Sequence, residues 1–342
     1  MHCSLWVTFF LTSATLVITQ AVRLAINKDL INHINSLNTT WKAGENEFFK
    51  GMSIEYAKKL MGTKLHTAVN GKYFKPTFED YGPIPEVFDA RKKWPECDSI
   101  RQIRDQSNCG SCWAIAAAEA ISDRICIATK GKQKPTISTT DLLACCGLDC
   151  GWGCEGGFPY NAWVYWVKHG LVTGGLYNSS NGCQPYPFPP CSHHINGTYP
   201  PCKELRETPT CTKKCSETYH AKDYASDKYY GSAAYMISFG DRGIQGDLMK
   251  YGPMEATIAV YQDFLTYKSG VYQHKTGKFV GYHAVRLLGW GIEQNTPYWL
   301  LANSWNPEWG EKGFFKVIRG KNDTFIEEEC VGGLFGCFDS AS

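Results

Sequence analysis

The 342-residue chain lacks any long apolar run beyond its first twenty residues. Residues 5–18 are apolar apart from serine and threonine, and this run is too short to span a bilayer. Small residues follow near Thr19 and Ala21, so residues 1–20 are predicted to be a cleaved secretory signal peptide. No membrane-spanning helix is expected in the rest of the chain.

A charge imbalance is also lacking. The chain has 35 basic and 33 acidic residues and a formal net charge of +2. This gives no electrostatic basis for binding nucleic acid or an anionic membrane surface, so neither is expected as a partner. With 43% hydrophobic residues, the chain is long enough for one large or two medium domains with a substantial core.

Residues 21–80 lack cysteine, whereas thirteen of the sixteen cysteines lie between Cys97 and Cys215. Such frequent cysteine indicates an oxidising compartment. If Cys3 leaves with the signal and one cysteine stays free, fourteen remain, an even number that can all pair. A zinc site is the alternative use of such a cluster, but these cysteines are scattered along the chain.

Two short amphipathic helices are predicted in the cysteine-free stretch, at residues 29–37 and 53–61. A proline-rich stretch at 75–85 follows. This break in composition marks residues 21–83 as a removable N-terminal segment, with residues 84–342 as the remaining domain. The alternative is that the segment is a structured interaction domain.

The most specific feature of the chain is residues 106–113, Q-S-N-C-G-S-C-W, which lead into a helical pattern. Apolar residues recur at helical spacing from Trp113 to Ala128, with one buried face. Cys112 is therefore expected at the first turn, where unpaired N–H groups and the helix dipole favour a thiolate. A structural cysteine, or a C-x-x-C redox motif with Cys109, is the alternative.

A cysteine nucleophile needs a base, and the base needs an orienting group. His283 lies in the strand-like G-Y-H-A-V, and Asn303 in W-L-L-A-N-S-W. Residues 254–260, 283–287 and 299–303 alternate or run apolar, as strands do. The cysteine-rich middle, residues 145–215, has little periodicity and is predicted to be loops held by disulfides. A helical first half and an antiparallel second half favour an α+β protein with a cleft between two lobes.

The string C-G-S-C-W, with H-A-V-R-L-L-G-W-G and Y-W-L-L-A-N-S-W downstream, resembles the papain family of cysteine peptidases. The resemblance implies a papain-like two-lobed fold, with a helical left lobe, an antiparallel β-barrel-like right lobe and the active site in the cleft. It implies peptide-bond hydrolysis without a cofactor or metal, through a Cys112 thiolate and a His283 imidazolium. Asn303 would hold the His283 ring, with Trp305 shielding that hydrogen bond. Gln106 and the Cys112 backbone N–H would form the oxyanion hole.

Two further stretches resemble cathepsin B-like members of this family. Residues 38–44 and 61–63 resemble their short inhibitory pro-segment, which lies backwards across the cleft. Residues 191–202 resemble their occluding loop, which implies that His193 and His194 bind the substrate's C-terminal carboxylate and release C-terminal dipeptides alongside internal cleavage. Asp105 would anchor the first of these histidines.

Some positions depart from the cathepsin B-like pattern. Tyr199 and Glu308 stand where that group has an arginine–aspartate latch, so a looser loop and relatively more endopeptidase activity are expected. Glu329 matches the acidic group at the base of the second-subsite pocket, and Tyr282, in place of a glycine, is expected to crowd that pocket. A further pair matches the backbone ledge for substrate, Gly156 and Gly157.

Six disulfides are implied by the resemblance: Cys97–Cys126, Cys109–Cys154, Cys145–Cys211, Cys146–Cys150, Cys183–Cys215 and Cys191–Cys202. Cys330 and Cys337 fall outside this framework and are expected to pair with each other. Glycosylation sequons are headed by four residues, of which some are expected to be occupied: Asn38, Asn178, Asn196 and Asn322.

The expected partners are peptide and protein substrates, the chain's own pro-segment as inhibitor, and cystatin-like inhibitors, and the enzyme is expected to be a monomer. The expected location is the secretory pathway, with the lysosome or the extracellular space, including a gut lumen, as destination. The alternative function is a catalytically weak or inactive peptidase-like binding protein. Such relatives usually lose the nucleophile, whereas Cys112 is present here.

Overall fold

The computed structural model describes residues 23–65, 81–191, 199–202, 205–237 and 240–336. The α-helices in these ranges are α1 Lys28–Ser36, α2 Ile54–Leu60, α3 Ala90–Lys93, α4 Cys112–Ala128, α5 Thr139–Cys145, α6 Pro159–His169 and α7 Gly240–Tyr251. The strands are β1 Trp41–Ala43, β2 Phe88–Asp89, β3 Gly231–Ile237, β4 Met254–Tyr261, β5 Tyr267–Tyr272, β6 Phe279–Glu293, β7 Thr296–Ala302, β8 Phe314–Ile318 and β9 Cys330–Phe335. Within the described ranges, none of the helices has the length and apolarity that crossing a membrane requires.

Helix α4 forms the centre of the first lobe. Every residue from Cys112 to Cys126 is buried, so the prediction of a single buried face is wrong. The helix is apolar around most of its circumference, as expected for a helix enclosed by other elements. Its small side chains let neighbours approach closely, including the tryptophans of α6.

Helix α6 was not expected, because the cysteine-rich middle was predicted to consist of loops. Pro159 occupies its first turn, and Gly170 follows its last residue with φ 64°. Ala162, Trp163 and Trp166 lie on its buried side. Burial of these large rings stabilises a helix whose short apolar pattern is hard to detect among glycines and prolines.

The second lobe is built on one nine-stranded sheet. Its strand order is β1-β5-β8-β7-β6-β4-β9-β3, with β2 also paired to β6. The pairings are antiparallel except for β5 with β8. The three predicted strand regions correspond to β4, β6 and β7, and the α+β class is confirmed. The sheet is open, so the expected barrel-like description of this lobe is too strong.

The N-terminal segment, residues 23–65, packs on the second lobe. Strand β1 forms an edge of the sheet and pairs antiparallel with β5, and Trp41 Nε1 donates to the carbonyl oxygen of Gln273 at 2.9 Å. The two predicted helices are present as α1 and α2, capped by Asn27 and Ser53. Ile34, Trp41 and Leu60 belong to the same buried core as the sheet. The segment therefore shares the core of the main domain.

Buried ion pairs connect the two lobes. Arg286 of β6 donates to the Asp123 carboxylate of α4 at 2.9 Å, and its Nε lies 3.7 Å from Glu119. The same guanidinium donates to the carbonyl oxygens of Ser99 and Gln102. These contacts fix α4 against β6, and each of the two elements carries one of the residues at the cleft.

Candidate active site

Cys112 is the first residue of α4, and its side chain is completely buried. It is one of two free cysteines among the described residues. Thr63 of the N-terminal segment lies against it, with Oγ1 3.5 Å from Sγ. Helix α4 has no side-chain hydrogen bond from its N-cap, Ser111, whose hydroxyl instead contacts Tyr186. The thiol thus lies at an uncapped helix N-terminus.

His283 and Asn303 come from neighbouring strands of the sheet. His283 lies within β6, and Asn303 directly follows β7. The His283 Nε2 and Asn303 Oδ1 atoms are 2.8 Å apart. Trp305 stacks on the imidazole with ring centroids 4.6 Å apart, and its side chain is fully buried. The other ring nitrogen, Nδ1, is buried without a hydrogen-bond partner among the described residues, so it remains available to exchange a proton.

Burial suppresses the charges of both Cys112 and His283 in this structure. Burial raises the pKa of the Cys112 thiol, partly offset by the Thr63 hydroxyl and by backbone N–H groups that include that of Gly62. Burial also lowers the pKa of His283 to about 4, against a smaller opposite effect of Asn303. With the N-terminal segment in place, the pair is neutral near pH 6, whereas the resemblance implies an ion pair.

Gln106 is held between the two lobes. Its backbone N–H donates to the Ser304 carbonyl, and its Oε1 accepts from Ser304 Oγ at 2.9 Å and Trp305 Nε1 at 3.1 Å. These bonds fix the amide so that Nε2 donates to the carbonyl oxygens of Leu60 and Cys109, both at 2.9 Å. The expected oxyanion donor is therefore occupied by a carbonyl of the N-terminal segment.

The N-terminal segment crosses the cleft as an extended strand. Gly157 N–H donates to Gly62 at 2.8 Å, and Lys64 N–H donates back to Gly157 at 2.9 Å. Gly157 thus bonds to the residues before and after Thr63, which is the pattern of a parallel bridge. In an antiparallel pair, Gly157 would instead exchange both bonds with Thr63 itself. On the opposite wall, Thr63 N–H donates to the Tyr282 carbonyl at 3.2 Å. Sequence reasoning did not identify this carbonyl, because a main-chain acceptor leaves no residue-type signal.

Two buried carboxyl groups lie below the cleft. Glu329 is 5% exposed, and burial raises its pKa to about 7. Glu255 of β4 accepts from Trp163 Nε1 at 2.8 Å, and its pKa is raised by burial and by the charges of Cys112 and Glu329. Glu255 was missed, although a charged residue within the apolar run 254–260 was a usable signal, because glutamate is seldom fully buried.

The Tyr282 ring, which was expected to crowd the second-subsite pocket, packs between two other rings. Phe279 and Phe325 have ring centroids 5.0 and 5.5 Å away from it.

Gly156, one of the two glycines expected to bind the substrate backbone, has φ 112°. A Cβ there would lie 2.6 Å from the Gly62 carbonyl oxygen. This position therefore requires glycine for the segment to lie so close.

Asp105 faces the region of the expected occluding loop. It accepts from Ser107 N–H at 2.6 Å, and burial, together with the charge of Glu308, raises its pKa to about 7. With Tyr199 and Asn306 it lines a cavity of about 150 Å³. Burial raises the Tyr199 pKa, as do the charges of Glu308 and Asp105. His193 and His194, like the sequon Asn196, lie outside the described residues.

The six disulfides implied by the resemblance are all present. Cys337, which was expected to pair with Cys330, lies outside the described residues. Cys330 is a buried free thiol that donates to the Ile326 carbonyl at 3.2 Å.

Three of the four sequon asparagines are exposed in the described ranges, namely Asn38, Asn178 and Asn322.

No group of three or more His, Cys, Asp or Glu side chains within the described ranges is arranged to hold a metal ion. The free cysteine, the histidine and the amide at the cleft thus make nucleophilic catalysis the chemistry that this site can support.

Comparison with known families gives two matches along the chain. Residues 84–334 match the papain family cysteine protease domain, and residues 26–67 match the peptidase family C1 propeptide. A cathepsin B-like cysteine proteinase of Schistosoma japonicum is 49% identical over 314 residues, covering 90% of this chain and 91% of the relative. Cathepsin B-like cysteine proteinase 6 of Caenorhabditis elegans is 49% identical over 313 residues, covering 90% and 82%.

Solved structures give the same relationship. The procathepsin B S9 of Trypanosoma congolense is 36% identical, with a TM-score of 0.79, and the match covers 92% of this chain and 99% of that one. A digestive procathepsin L 3 of Tenebrio molitor shares the fold at 21% identity and a TM-score of 0.65, with 90% of each chain covered. The chain therefore belongs to the papain family of cysteine peptidases, among its cathepsin B-like members, and carries the family's propeptide.

Proposed function

We propose that this chain is the zymogen of a secretory-pathway cysteine peptidase with Cys112 as nucleophile and His283 as base. The observation that carries the proposal is the pairing of a free thiol at a helix N-terminus with an imidazole fixed by Asn303. The main-chain contacts of Gly157 and Tyr282 support a peptide as ligand, because they already bind extended backbone in the cleft.

In the proposed reaction, Cys112 Sγ gives its proton to His283 Nδ1 and attacks the substrate carbonyl carbon. The resulting oxyanion accepts hydrogen bonds from Gln106 Nε2 and the Cys112 backbone N–H. The imidazolium then protonates the leaving amine as the C–N bond breaks, which leaves a thioester. Water gives a proton to His283 and attacks the thioester, and Cys112 leaves with that proton restored.

The pro-segment inhibits by occupying these same groups. Leu60 takes the Gln106 donor, and residues 62–64 take the main-chain contacts on both walls. Its parallel bridge to Gly157 supports a reversed direction relative to a substrate. We place the cleavage that starts the mature enzyme near residues 84–86, after loss of residues 1–20 as signal, with the lysosome or extracellular space as destination.

Active-site labelling tests this function. A thiol-directed epoxide is expected to modify Cys112 in the processed protein and to abolish peptide hydrolysis, whereas the unprocessed protein reacts slowly because the thiol is covered and neutral. Cys330→Ala is the matched control, since it removes the other free thiol and keeps labelling. A correctly processed protein that neither reacts nor cleaves would instead be a peptidase-like binding protein.

We also propose dipeptide release from substrate C-termini, with His193 and His194 as carboxylate ligands and Asp105 as the anchor of the first of these histidines. The buried Asp105 carboxyl supports this, because a histidine partner would satisfy it. Tyr199 and Glu308 cannot form an ion pair with each other. The expected occluding loop, residues 191–202, should therefore open more readily and admit longer substrates.

The double variant Tyr199→Arg with Glu308→Asp tests the loop. It restores an ion pair, which is expected to raise dipeptide release relative to internal cleavage severalfold on matched peptides with free and amidated C-termini. Tyr230→Arg, at a tyrosine that is 53% exposed and does not line the cavity shared by Asp105 and Tyr199, is the control. An equal ratio of dipeptide release to internal cleavage in the wild type and the double variant would show that this contact does not control opening of the loop.

A further inference from the structure

An aromatic groove on the second lobe has no part in the proposed chemistry. It has a volume of about 320 Å³ and is lined by side chains that include Tyr261, Phe279, Tyr282 and Phe325. Their rings form a continuous row, with successive centroids 5.8, 5.0 and 5.5 Å apart. Phe279 is 44% exposed. The other three rings are partly buried, and a contiguous row of partly exposed rings indicates a surface that something covers.

Asn322 lies in the wall of this groove and heads the sequon Asn322-Asp323-Thr324. Its backbone N–H donates to Glu327 at 3.0 Å, and its Nδ2 donates to Glu328 Oε1 at 2.7 Å. The bond to Glu328 uses one amide hydrogen and fixes the side chain. An N-linked sugar replaces one of the two amide hydrogens and leaves the other to donate, so a bond from this nitrogen is compatible with glycosylation.

Thr324 supplies a second, independent observation. Its side chain is 1% exposed, and its hydroxyl has no hydrogen-bond partner among the described residues. A buried hydroxyl without a partner is destabilising, and valine would fill the same shape without it. The folded protein gains nothing visible from this hydroxyl. The sequon requires it, because only serine or threonine serves at that position.

We propose that Asn322 carries an N-linked glycan whose first sugars cover the aromatic groove beside the cleft. The C–H groups on one face of a sugar ring pack against the electron-rich faces of aromatic side chains. The Tyr282 ring lies in this row, and its carbonyl binds the chain in the cleft, so the glycan borders the substrate path. The proposal goes beyond peptide hydrolysis and requires only passage through the secretory pathway, which the six disulfides favour.

Occupancy is tested by glycopeptide mass spectrometry of the full chain secreted from a glycosylating host. The wild type and Thr324→Ser are expected to carry the glycan at Asn322, whereas Asn322→Gln and Thr324→Val lack it. After enzymatic deglycosylation, Thr324→Val is expected to unfold at the same temperature as the wild type or a higher one. Secreted wild-type protein with an unmodified Asn322, or a Thr324→Val protein of clearly lower stability, would overturn the proposal.

Coverage of the groove is tested by hydroxyl-radical footprinting. Phe279 and Tyr282 are expected to oxidise severalfold more slowly in the glycosylated protein than after glycan removal. Tyr230 is the control, because it is 53% exposed and does not line the groove. Its oxidation rate should be the same with and without the glycan. Equal oxidation of Phe279 in both forms would show that the glycan points away from the groove.

Discussion

At the scale of single residues, burial decides which groups carry charge. Cys112, His283 and Glu329 would each be charged or readily ionised in water near neutral pH or above, yet burial shifts each pKa toward the neutral form. The pro-segment therefore covers the site while burial disfavours the charged forms of its cysteine and histidine. Uncovering the cleft admits water, which favours the charged forms again.

Glu329 gives a pH-dependent prediction for stability. Its pKa is about 7 in the folded chain against 4.5 ordinarily, so the folded state holds a proton that the unfolded state has lost between these values. The stabilising contribution of protonated Glu329 is present below pH 4.5 and is lost as the pH rises through about 7. The total change is on the order of 3 kcal/mol.

Urea unfolding of the full chain between pH 4.5 and 8 checks this prediction. Glu329→Gln is expected to gain stability over the wild type as the pH rises, while the exposed neighbour variant Glu328→Gln shows no such trend. Parallel pH profiles for the wild type and Glu329→Gln would contradict the assignment.

At the scale of elements, the pro-segment depends on a close approach of two backbones. A Cβ added to Gly62 would lie 1.9 Å from the carbonyl oxygen of Gly110, next to the nucleophile loop. Gly110 is equally constrained from the other side, since a Cβ added to it would lie 2.8 Å from the Lys59 carbonyl oxygen of the pro-segment. Both positions require glycine for the segment to seal the thiol.

Gly62→Ala is therefore expected to loosen the pro-segment. Overpacking of this kind typically costs about 1–3 kcal/mol, which corresponds to roughly 5- to 150-fold weaker closure. The unprocessed variant should react with the thiol-directed epoxide faster by a factor in that range. Lys42→Ala, an exposed change in β1 of the same segment, is expected to react like the wild type. Unchanged labelling of Gly62→Ala would mean that the segment accommodates the methyl group.

At the scale of the whole molecule, the two lobes are joined by charges buried between α4 and β6. Asp123 and Arg286 have fully buried side chains and share a bond of 2.9 Å. Loops from both lobes also pair directly, through the bridge between Asp105 and Trp305. The relative position of Cys112 and His283 thus depends on contacts between lobes rather than within either one.

Asp123→Ala is expected to destabilise the chain by about 3–5 kcal/mol, because it leaves the Arg286 charge buried without that partner. Chemical denaturation measures this loss. Lys58→Ala, which breaks the exposed pair with Glu55, should cost no more than about 1 kcal/mol. Losses of similar size in the two variants would show that the interlobe pair contributes no more than a surface contact.

Local sequence determined helix α4, the two pro-segment helices and the main strands, since each depends on spacing and capping within a few residues. The strand position of His283 and the composition break near residue 80 could be predicted in this way, whereas the free thiol at residue 112 was implied by the family resemblance. The exposed sequon at Asn322 was equally visible. These features follow from short-range patterns that the fold preserves.

Only the tertiary structure decided the remaining features, because they depend on what lies next to what. Helix α6 is stabilised by rings buried against α4, Cys330 is a buried free thiol, and Glu255 is buried by strands distant in sequence. Burial by long-range packing likewise shifts the pKa values of Cys112 and His283 toward their neutral forms. The sequence by itself indicated which groups are proposed to react, and long-range packing decided how burial shifts their pKa values and what covers them.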